Sequence, residues 1–520
     1  MSMNAIELSI FTSRIEAVCD EMGAVLRRAA FSPNIKERLD YSCAVFDASG
    51  ELCAQAAHIP VHLGSMAYAM RDIVADIAWC EGDMVILNDP YLGGTHLPDV
   101  TLIAPVFASS KLMGFVVNRA HHADIGADAP GSMPLSRHLD DEGLVIPPTQ
   151  LLSRGEINEQ MFLSIMGSLH NGDRARGDFL AQISANRSGM MRLSSLISGM
   201  GVEAFNTGLD ELNAYAARLA KSALKDIPEG EYQFTDVMDD DGQGQKDIRI
   251  CCAVNIEKGE VTVDFSGTSD QVAGNINAPL SVAAASVYYV FRCLMPAHTP
   301  ACAGSFRHIH LSAPLGSLLN ACYPAAVAAG NVETSSRVVD VLMGALAQAI
   351  PQHIPAASHG SMNNLAMGTR ETEGSWDYYE TMGGGMGASA RRDGLTAVQT
   401  HMTNTLNTPI EALEMHYPLR VTRYEIRHGS GGSGLNRGGD GLLREFEFLK
   451  PASFTLITER RSHQPWGLKG GEAGLSGVNK LNGKPLAAKV QGSLQAGDRL
   501  MIASAGGGGW GTLLHTKKSM

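Results

Sequence analysis

The sequence predicts an α+β protein built from several subdomains, and three observations carry this prediction. The chain has 520 residues, which is too long for one ordinary hydrophobic core. Helical and strand periodicities both occur along it, so neither class of element dominates. Glycine is concentrated near the C-terminus, where Arg427 to Gly511 holds 20 of the 56 glycines. We expect an N-terminal α/β region at 1–230, a central α/β region at 231–414 and a Gly-rich, β-rich region at 415–520.

The composition excludes several classes of function. A net charge of −13 argues against a nucleic-acid or anionic-membrane partner, because both require clustered Lys and Arg. No apolar run reaches the roughly 18 residues that a membrane helix needs. The nine cysteines are scattered and form no C-x-x-C pair, which favours a reducing cytoplasm. We therefore expect a cytoplasmic globular protein.

The N-terminal elements follow from local patterns. Apolar residues recur at helical spacing over residues 4–30, and Pro33 ends the pattern. A hairpin is expected next, with strands at Tyr41–Phe46 and Glu51–Gln55 around the turn Asp47-Ala48-Ser49-Gly50. The elements expected after it are a helix at 65–79 and strands at Met84–Leu87, Thr101–Phe107 and Gly114–Asn118. The last of these strands runs directly into a histidine pair, an arrangement that can present a ligand.

The remaining elements alternate between long helices and strands. Helices are expected at 156–168, 172–200 and 203–225, and strand character returns over 230–266. Two more helices are expected at 280–296 and 335–350, the second after the polar turn at 330–334. From about 415 onward the chain is helix-poor, and its glycines predict strands joined by tight turns.

Several common catalytic signatures are absent. Gly429 to Gly434 fits the dinucleotide pattern G-x-G-x-x-G, but no strand-to-helix unit surrounds it. The sequence has no Walker A loop, no G-x-S-x-G elbow and no H-E-x-x-H helix. The chain therefore has no recognisable ATP site of its own.

A histidine-rich segment is the strongest functional signal. Seven of the 17 histidines lie between His58 and His170, mostly beside Gly, Pro or Asp. Imidazole and carboxylate together are ligands of zinc, manganese and iron(II). His96 follows Gly93-Gly94-Thr95, a turn that lets backbone approach a ligand. The segment predicts a mononuclear site with two histidines and one carboxylate.

The other polar residues of this segment could either bind the metal or lie beside the site. His58 and His62 are four apart, but Pro60 between them argues against a helix, so we expect them to pack beside the site. His121 and His122 are adjacent, and on extended chain they point to opposite sides, so at most one binds the metal. Several carboxylates could ligate the metal or orient an imidazole, and these are Asp89, Asp99 and Asp124. Asp40, at the start of the hairpin, is ordinary as a cap or turn residue.

Long and unusual blocks of residues occur along this sequence, and they are Lys36–Ser42, His58–Gly64, Asn88–Asp99, Asn118–Gly126, Gly131–Pro134, Glu142–Pro148, Gly274–Pro279, Gly383–Gly387, Asn407–Glu411, Arg427–Gly441 and Gly506–Gly511. In these blocks the chain resembles the hydantoinase B/oxoprolinase family, which includes subunits of hydantoinases, 5-oxoprolinases, caprolactamase and acetone or acetophenone carboxylases. They span nearly the whole chain, so the resemblance is specific for the family and weak on substrate. One departure is Cys302-Ala303-Gly304, where such proteins usually carry Asn before the Gly.

The resemblance implies a site and a partner. One zinc or manganese ion would be bound by Asp40, His96 and His121. His122, Asp124 and Asp89 are then the candidates for catalytic proton transfer. The partner would be a hydantoinase A-type subunit that binds ATP and magnesium, which agrees with the missing phosphate loop.

These expectations define a reaction. The partner would phosphorylate a cyclic amide, and this chain would hydrolyse the activated amide with water whose pKa the metal lowers toward about 7. The sequence leaves two alternatives open. One is a subunit of an ATP-dependent ketone carboxylase, and the other is a metal-stabilised scaffold for the ATPase subunit.

Overall fold

The computed structural model describes residues 3–56, 58–370 and 374–513, and it confirms a mixed fold of helices and several sheets. The helices in this part of the chain are α1 (Ala5–Ala29), α2 (Pro33–Lys36), α3 (Pro60–Ala75), α4 (Glu159–Gly167), α5 (Gly172–Met200), α6 (Val202–Lys225), α7 (Leu280–Leu294), α8 (Ser335–Ala349) and α9 (Ile410–His416). None of these helices is long and apolar enough to cross a membrane.

The strands of the described residues fall into four sheets. Those of the first two sheets are β1 (Tyr41–Asp47), β2 (Leu52–Gln55), β3 (Met84–Leu87), β4 (Asp99–Ala108), β5 (Lys111–His121), β6 (Thr149–Ser153), β7 (Glu156–Ile157), β8 (Gly230–Asp240), β9 (Lys246–Glu257), β10 (Glu260–Asp264) and β11 (Ile309–Ser312). Those of the last two are β12 (Asn364–Thr369), β13 (Trp376–Glu380), β14 (Leu419–Arg427), β15 (Gly441–Phe448), β16 (Ala452–Ile457), β17 (Val478–Leu481), β18 (Lys484–Leu486), β19 (Lys489–Leu494) and β20 (Arg499–Ala503).

The N-terminal sheet has seven strands in the order β2-β1-β5-β4-β3-β6-β7, and its neighbours pair antiparallel. Successive side chains of each strand point to opposite faces of the sheet, and the two faces are buried in different cores. Val116 packs in the core that contains α1 and α5, whereas Phe115 and Val117 pack in the core that contains α3. The sheet is therefore covered by helices on both sides.

The register of this sheet brings distant residues to one end of it. Asp99, the first residue of β4, is opposite His121, the last residue of β5. Tyr41 of β1 is opposite Ala120 of β5, and the backbone N–H of His121 donates to the carbonyl of Asp40 at 3.0 Å. The starts of β1 and β4 therefore meet the end of β5.

The other three sheets complete the fold. Their strand orders are β11-β10-β9-β8, β13-β12-β16-β19 and β14-β15-β20-β17-β18. A buried ionic cluster connects the second and third of the four sheets to α8. Arg460 contacts Asp236 of β8 at 2.8 Å and Asp340 of α8 at 2.7 Å, and Glu459 contacts Arg337 of α8 at 3.1 Å. Because these charges are buried, each needs its partner to remain in place.

Most predicted elements are confirmed, and the main correction concerns His62. The helix expected over 4–30 is α1, and the helix expected over 335–350 is α8. The expectation that Pro60 prevents a helix is wrong. Pro60 is the first residue of α3, where its missing N–H has no helical partner to lose, and His62 lies in the first turn of that helix.

The glycines of the C-terminal region serve close packing more than turns. A Cβ atom on Gly439 would lie 1.9 Å from the carbonyl oxygen of Leu395, and one on Gly438 would lie 1.9 Å from that of Gly507. Both distances are shorter than any real Cβ contact, so the backbone segments pass one another where only glycine fits.

A glycine at the contact of α3 and α7 gives a test of this packing. A Cβ atom on Gly64 would lie 2.6 Å from the Cα of Ala285. We expect Gly64→Val to destabilise the protein by about 1–3 kcal/mol, because the two helix backbones must separate. The measurement is the midpoint of urea denaturation.

The matched control is Gly199→Ala near the end of α5, where a Cβ would meet nothing within 4 Å. This variant should be neutral or gain about 0.4–1 kcal/mol, because alanine restricts the unfolded chain. Equal losses in both variants would contradict the close approach of α3 and α7.

Candidate metal centre

Asp99 is the centre of a buried polar cluster. Its side chain has no solvent exposure. The hydroxyl of Thr95 donates to its Oδ2 at 2.7 Å, and the amide of Asn331 donates to the same atom at 3.2 Å. A buried carboxylate is stable only with such partners. The start of β4 is thereby connected to the turn before α8.

Three histidines surround this carboxylate. The Nε2 of His62 lies 3.2 Å from Oδ2 of Asp99, and the Nε2 of His96 lies 3.2 Å from Oδ1. The Nδ1 of His121 lies 3.3 Å from Oδ1. These imidazoles come from α3, from the loop before β4 and from the end of β5. Among the described residues, the ligand atoms of His96, Asp99 and His121 converge as a metal requires, and they lie within 4.8 Å of one another.

The electrostatics of the cluster favour a carboxylate beside cationic or polarised imidazoles. Burial opposes ionisation of Asp99, but His62 and His96 outweigh it and hold the pKa of Asp99 well below its usual range. Burial also opposes protonation of His96, yet the charge of Asp99 gives His96 a raised pKa. For His121 burial dominates, and its pKa is lowered. The carboxylate of Asp99 thus stays ionised, and its charge attracts a proton or a metal ion to the imidazoles around it.

The unpartnered nitrogens of this cluster fit a metal ion. The Nε2 atoms of His96 and His121 are buried and have no hydrogen-bond partner among the described residues. The Nδ1 of His96 lies 3.1 Å from the carbonyl oxygen of Ala328 and so carries a proton, which leaves a lone pair on Nε2. In the neutral ring this lone pair lies near Oδ1 of Asp99, and the repulsion between the two acceptors is relieved when Nε2 takes up a proton, in keeping with the raised pKa of His96, or binds a metal ion. The donor set is that of zinc and manganese sites.

Asp40 lies in the same cavity. It is 6% exposed, and no described residue donates a hydrogen bond to its side chain. Its nearest charged neighbours are Arg38, 3.7 Å from Oδ2, and His62, 4.0 Å from Oδ1. A carboxylate that is this buried, with neither oxygen hydrogen-bonded by the described residues, is an available ligand.

The cavity that these residues line has a volume of about 20 Å³, enough for an ion or a water. Tyr379 forms one wall, where its ring stacks on His121 at 4.6 Å and 17°. Its hydroxyl donates to Asn364 at 2.7 Å, which fixes the ring. The lining residues are Asp40, Ile59, Val61, His62, His96, His121, Asn331, Val332, Met362, Tyr379, Thr381, Met402 and Thr403.

The three residues expected to transfer protons lie outside this cavity. His122 faces the other side of β5, with its Nε2 3.0 Å from Oε1 of Gln182, and burial lowers its pKa. Asp124 accepts from the backbone of Gly126 at 3.1 Å and of Asn171 at 2.7 Å. Asp89 accepts from the backbone of Tyr91 at 2.9 Å, and burial raises its pKa. Their catalytic role stays a prediction.

The sequence does not single out His62 as a residue of the cavity. It leaves Asp99 as one of three aspartates that could ligate the metal or orient an imidazole. The signal that could identify His62 is the preference of proline for the first turn of a helix, which makes His58-Ile-Pro-Val-His62 a helix start. His58 does not line the cavity. Its Nδ1 accepts from the backbone of Cys43 at 3.1 Å.

The fold and this cluster define a class of protein. The chain belongs to the hydantoinase B/oxoprolinase family, whose model matches residues 4–513. Its fold is that of the ATP-dependent caprolactamase from Pseudomonas jessenii, with a TM-score of 0.91, 27% identity, and coverage of 98% of this chain and 92% of that chain.

Two curated relatives are informative. The 5-oxoprolinase 1 of Arabidopsis thaliana is 38% identical over 98% of this chain, which spans only 42% of that protein. The B-type subunit of a putative D-/L-hydantoinase from Pseudomonas sp. (strain NS671) is 33% identical over 99% of this chain and 91% of its own length. The chain therefore spans most of the subunit-type relative and less than half of the 5-oxoprolinase.

The unpartnered imidazoles give a direct test. We expect His96→Ala and His121→Ala to purify without a stoichiometric divalent ion, because each removes one of two nitrogens that have no other function in the cluster. Metal content after gel filtration, measured by inductively coupled plasma mass spectrometry, checks this. His353→Ala, on an exposed turn, is the control and should keep its metal. Full metal content in both cavity variants would refute the site.

Proposed function

We propose that this chain is the metal-dependent subunit of an ATP-dependent cyclic-amide hydrolase. The observation that carries the proposal is the pair of buried, unpartnered Nε2 atoms on His96 and His121, in one cavity with the unbonded carboxylate of Asp40. Membership of the hydantoinase B/oxoprolinase family supports the reaction class. The names of the relatives, a 5-oxoprolinase, a hydantoinase and a caprolactamase, share the opening of a ring amide.

We assign His96, His121 and Asp40 as the metal ligands and Asp99 as the carboxylate that orients the ring of His121. Asp99 already accepts from Thr95 and Asn331 and lies beside the Nδ1 of His121, whereas the oxygens of Asp40 have no donor among the described residues. A histidine whose Nδ1 faces a carboxylate commonly binds a metal through Nε2, because the carboxylate fixes the ring and its tautomer. Zinc and manganese both accept this ligand set.

A divalent ion held there would act as a Lewis acid and lower the pKa of water in the cavity. The protein side chains supply orientation and proton handling. Tyr379 and Asp99 fix the ring of His121 from its face and from its edge. His62 is the imidazole of the cavity that we do not assign to the metal. Its Nε2 is 3.2 Å from Asp99, so it can hold a proton taken from the attacking water.

Activation of the amide requires a second site. A lactam carbonyl is a weak electrophile because of amide resonance, and phosphorylation of its oxygen would create a leaving group. The sequence has no phosphate loop, so we infer a hydantoinase A-type partner that binds ATP and magnesium. The name of the Pseudomonas relative, which describes one subunit of an enzyme, supports a hetero-oligomer. The nine cysteines are free, in agreement with the cytoplasmic location that we expect.

The function is tested by co-expression with an A-type partner and measurement of phosphate release. Hydantoin, 5-oxoproline, a lactam, and a ketone with bicarbonate are supplied in parallel. We expect phosphate release with ring-opened product from a cyclic amide in the absence of bicarbonate, and loss of the product in His96→Ala. Phosphate release that requires ketone and bicarbonate would favour the carboxylase alternative. Unchanged turnover in His96→Ala would favour the scaffold alternative.

Asp40 and Asp99 can be distinguished experimentally, because only Asp99 accepts hydrogen bonds from described residues. Asp40→Asn should lose the metal and destabilise the metal-free protein less than Asp99→Asn does, because it weakens one 3.7 Å ion pair with Arg38 and removes no hydrogen bond. Asp99→Asn should also destabilise the metal-free protein, by about 3 kcal/mol or more, because it breaks a buried charge cluster. Metal content and denaturation of metal-stripped protein check this pair. Metal retention in Asp40→Asn would move the ligand role to Asp99.

A further inference from the structure

A second cavity lies on the opposite side of β5 from the metal centre. Its volume is about 50 Å³, which is room for a few waters or one small ring, since a single water needs about 10–15 Å³. The two cavities share no lining residue, because consecutive residues of extended chain alternate between them: His121 and Tyr379 face the metal centre, whereas His122 and Tyr378 face the second cavity. It is lined by Ser32, Pro33, Asn34, His122, Ala123, Asp124, Asn171, Arg174, Ala175, Asp178, Asp377, Tyr378 and Tyr417.

A chain of hydrogen bonds fixes the tautomer of His122. The amide nitrogen of Gln182 donates to the carbonyl of Val100 at 2.9 Å and to Oδ1 of Asn118 at 2.9 Å, so its Oε1 is an acceptor. The Nε2 of His122, 3.0 Å from that Oε1, therefore carries the proton. A neutral imidazole that donates from Nε2 presents a lone pair on Nδ1. No described residue donates to this Nδ1.

Asn34 and Ser32 supply unpartnered donors in the wall of the same cavity. Asn34 is 1% exposed, and its Oδ1 is the acceptor of a 3.4 Å contact from Arg38. Its amide nitrogen has no partner among the described residues, and neither has the hydroxyl of Ser32. A buried donor left without an acceptor costs about 1–3 kcal/mol. A ligand with hydrogen-bond acceptors would therefore satisfy both groups.

The carboxylates of the cavity already have hydrogen-bond or ion-pair partners, so they do not require a bound cation. Asp178 accepts from the backbone of Phe31 at 2.7 Å and of Ser32 at 3.2 Å. Asp377 is bound by Arg370 at 2.6 Å, and Asp124 accepts from two backbone amides. The exposed Arg174 is a hydrogen-bond partner of Tyr417. The polar groups that stay free are thus the acceptor on His122, the two neutral donors on Asn34 and Ser32, and the hydroxyl of Tyr378. The apolar surfaces of Tyr378, Tyr417 and Pro33 lie around them.

We propose that this cavity binds a small neutral molecule that contains a secondary amide, separately from the metal centre. The amide N–H donates to Nδ1 of His122, and the amide carbonyl accepts from Nδ2 of Asn34 or from the hydroxyl of Ser32. The aromatic rings contact the hydrocarbon part of the ligand. A carboxylate ligand would leave the His122 acceptor without a donor, and an ammonium ligand would leave the Asn34 and Ser32 donors without an acceptor.

The test is isothermal titration of the full chain with δ-valerolactam. Asn34→Asp is the informative variant, because it keeps an oxygen for Arg38 and removes the donor. We expect δ-valerolactam to bind the wild type, and its affinity to fall about tenfold or more in Asn34→Asp. N-methyl-δ-valerolactam, which has no N–H, should bind the wild type about tenfold more weakly or not at all. Asn158→Asp is the matched control, because Asp keeps the cap of α4 on the surface.

The metal-free variant His96→Ala separates this inference from the proposed function. We expect it to bind δ-valerolactam as the wild type does, because the second cavity contains no metal ligand. Binding that is lost in His96→Ala but kept in Asn34→Asp would locate the lactam at the metal centre and overturn the second site. Absence of binding to the wild type, or equal binding of the N-methyl analogue, would also overturn it. None of these outcomes affects the proposed metal centre, which the metal content tests.

Discussion

The charge of Asp99 is the constraint on which the arrangement of the candidate metal centre depends. A carboxylate with no solvent exposure remains ionised only where its surroundings replace water. Here Thr95, Asn331 and three imidazoles do so, and they come from a loop, the turn before α8, α3 and β5. Elements far apart in sequence must therefore meet at one point. The same negative charge that orders the protein also prepares the cavity for a cation.

The pleat of extended chain explains why the protein has two cavities at the end of one strand. His121 and His122 are neighbours in sequence, yet one ring faces the metal centre and the other contacts Gln182 and Phe179. Tyr378 and Tyr379 repeat this alternation at the end of β13. A shift of one residue in either strand would exchange the contents of the two cavities, so the register of the sheet determines the chemistry of both.

Much of the local structure can be predicted because it depends on short-range patterns. The amphipathic repeat of α1, with its capping box of Asn4 and Glu7, is visible in the sequence, as is the hairpin of β1 and β2. Sequence reasoning misses the helix at His62 for an equally local reason, since proline breaks a helix in its interior but is favourable at the first helical position, where Pro60 lies. The Gly-rich region is β-rich as predicted, but its need for glycine comes from backbone segments that cross closely.

The sequence by itself determined the family resemblance, the class of fold and the two histidines, His96 and His121, because long blocks of residues and ligand chemistry are written in order along the chain. The family resemblance also pointed to Asp40, whereas the tertiary structure alone brought Asp99 and His62 beside the two histidines. Asp40, Asp99 and Asn331 come together only through strand register and packing across hundreds of residues, and no local pattern encodes such contacts. The structure also places His122, Asp124 and Asp89 outside the cavity that His96 and His121 line. His122 contacts Gln182, and the two aspartates accept hydrogen bonds from backbone amides.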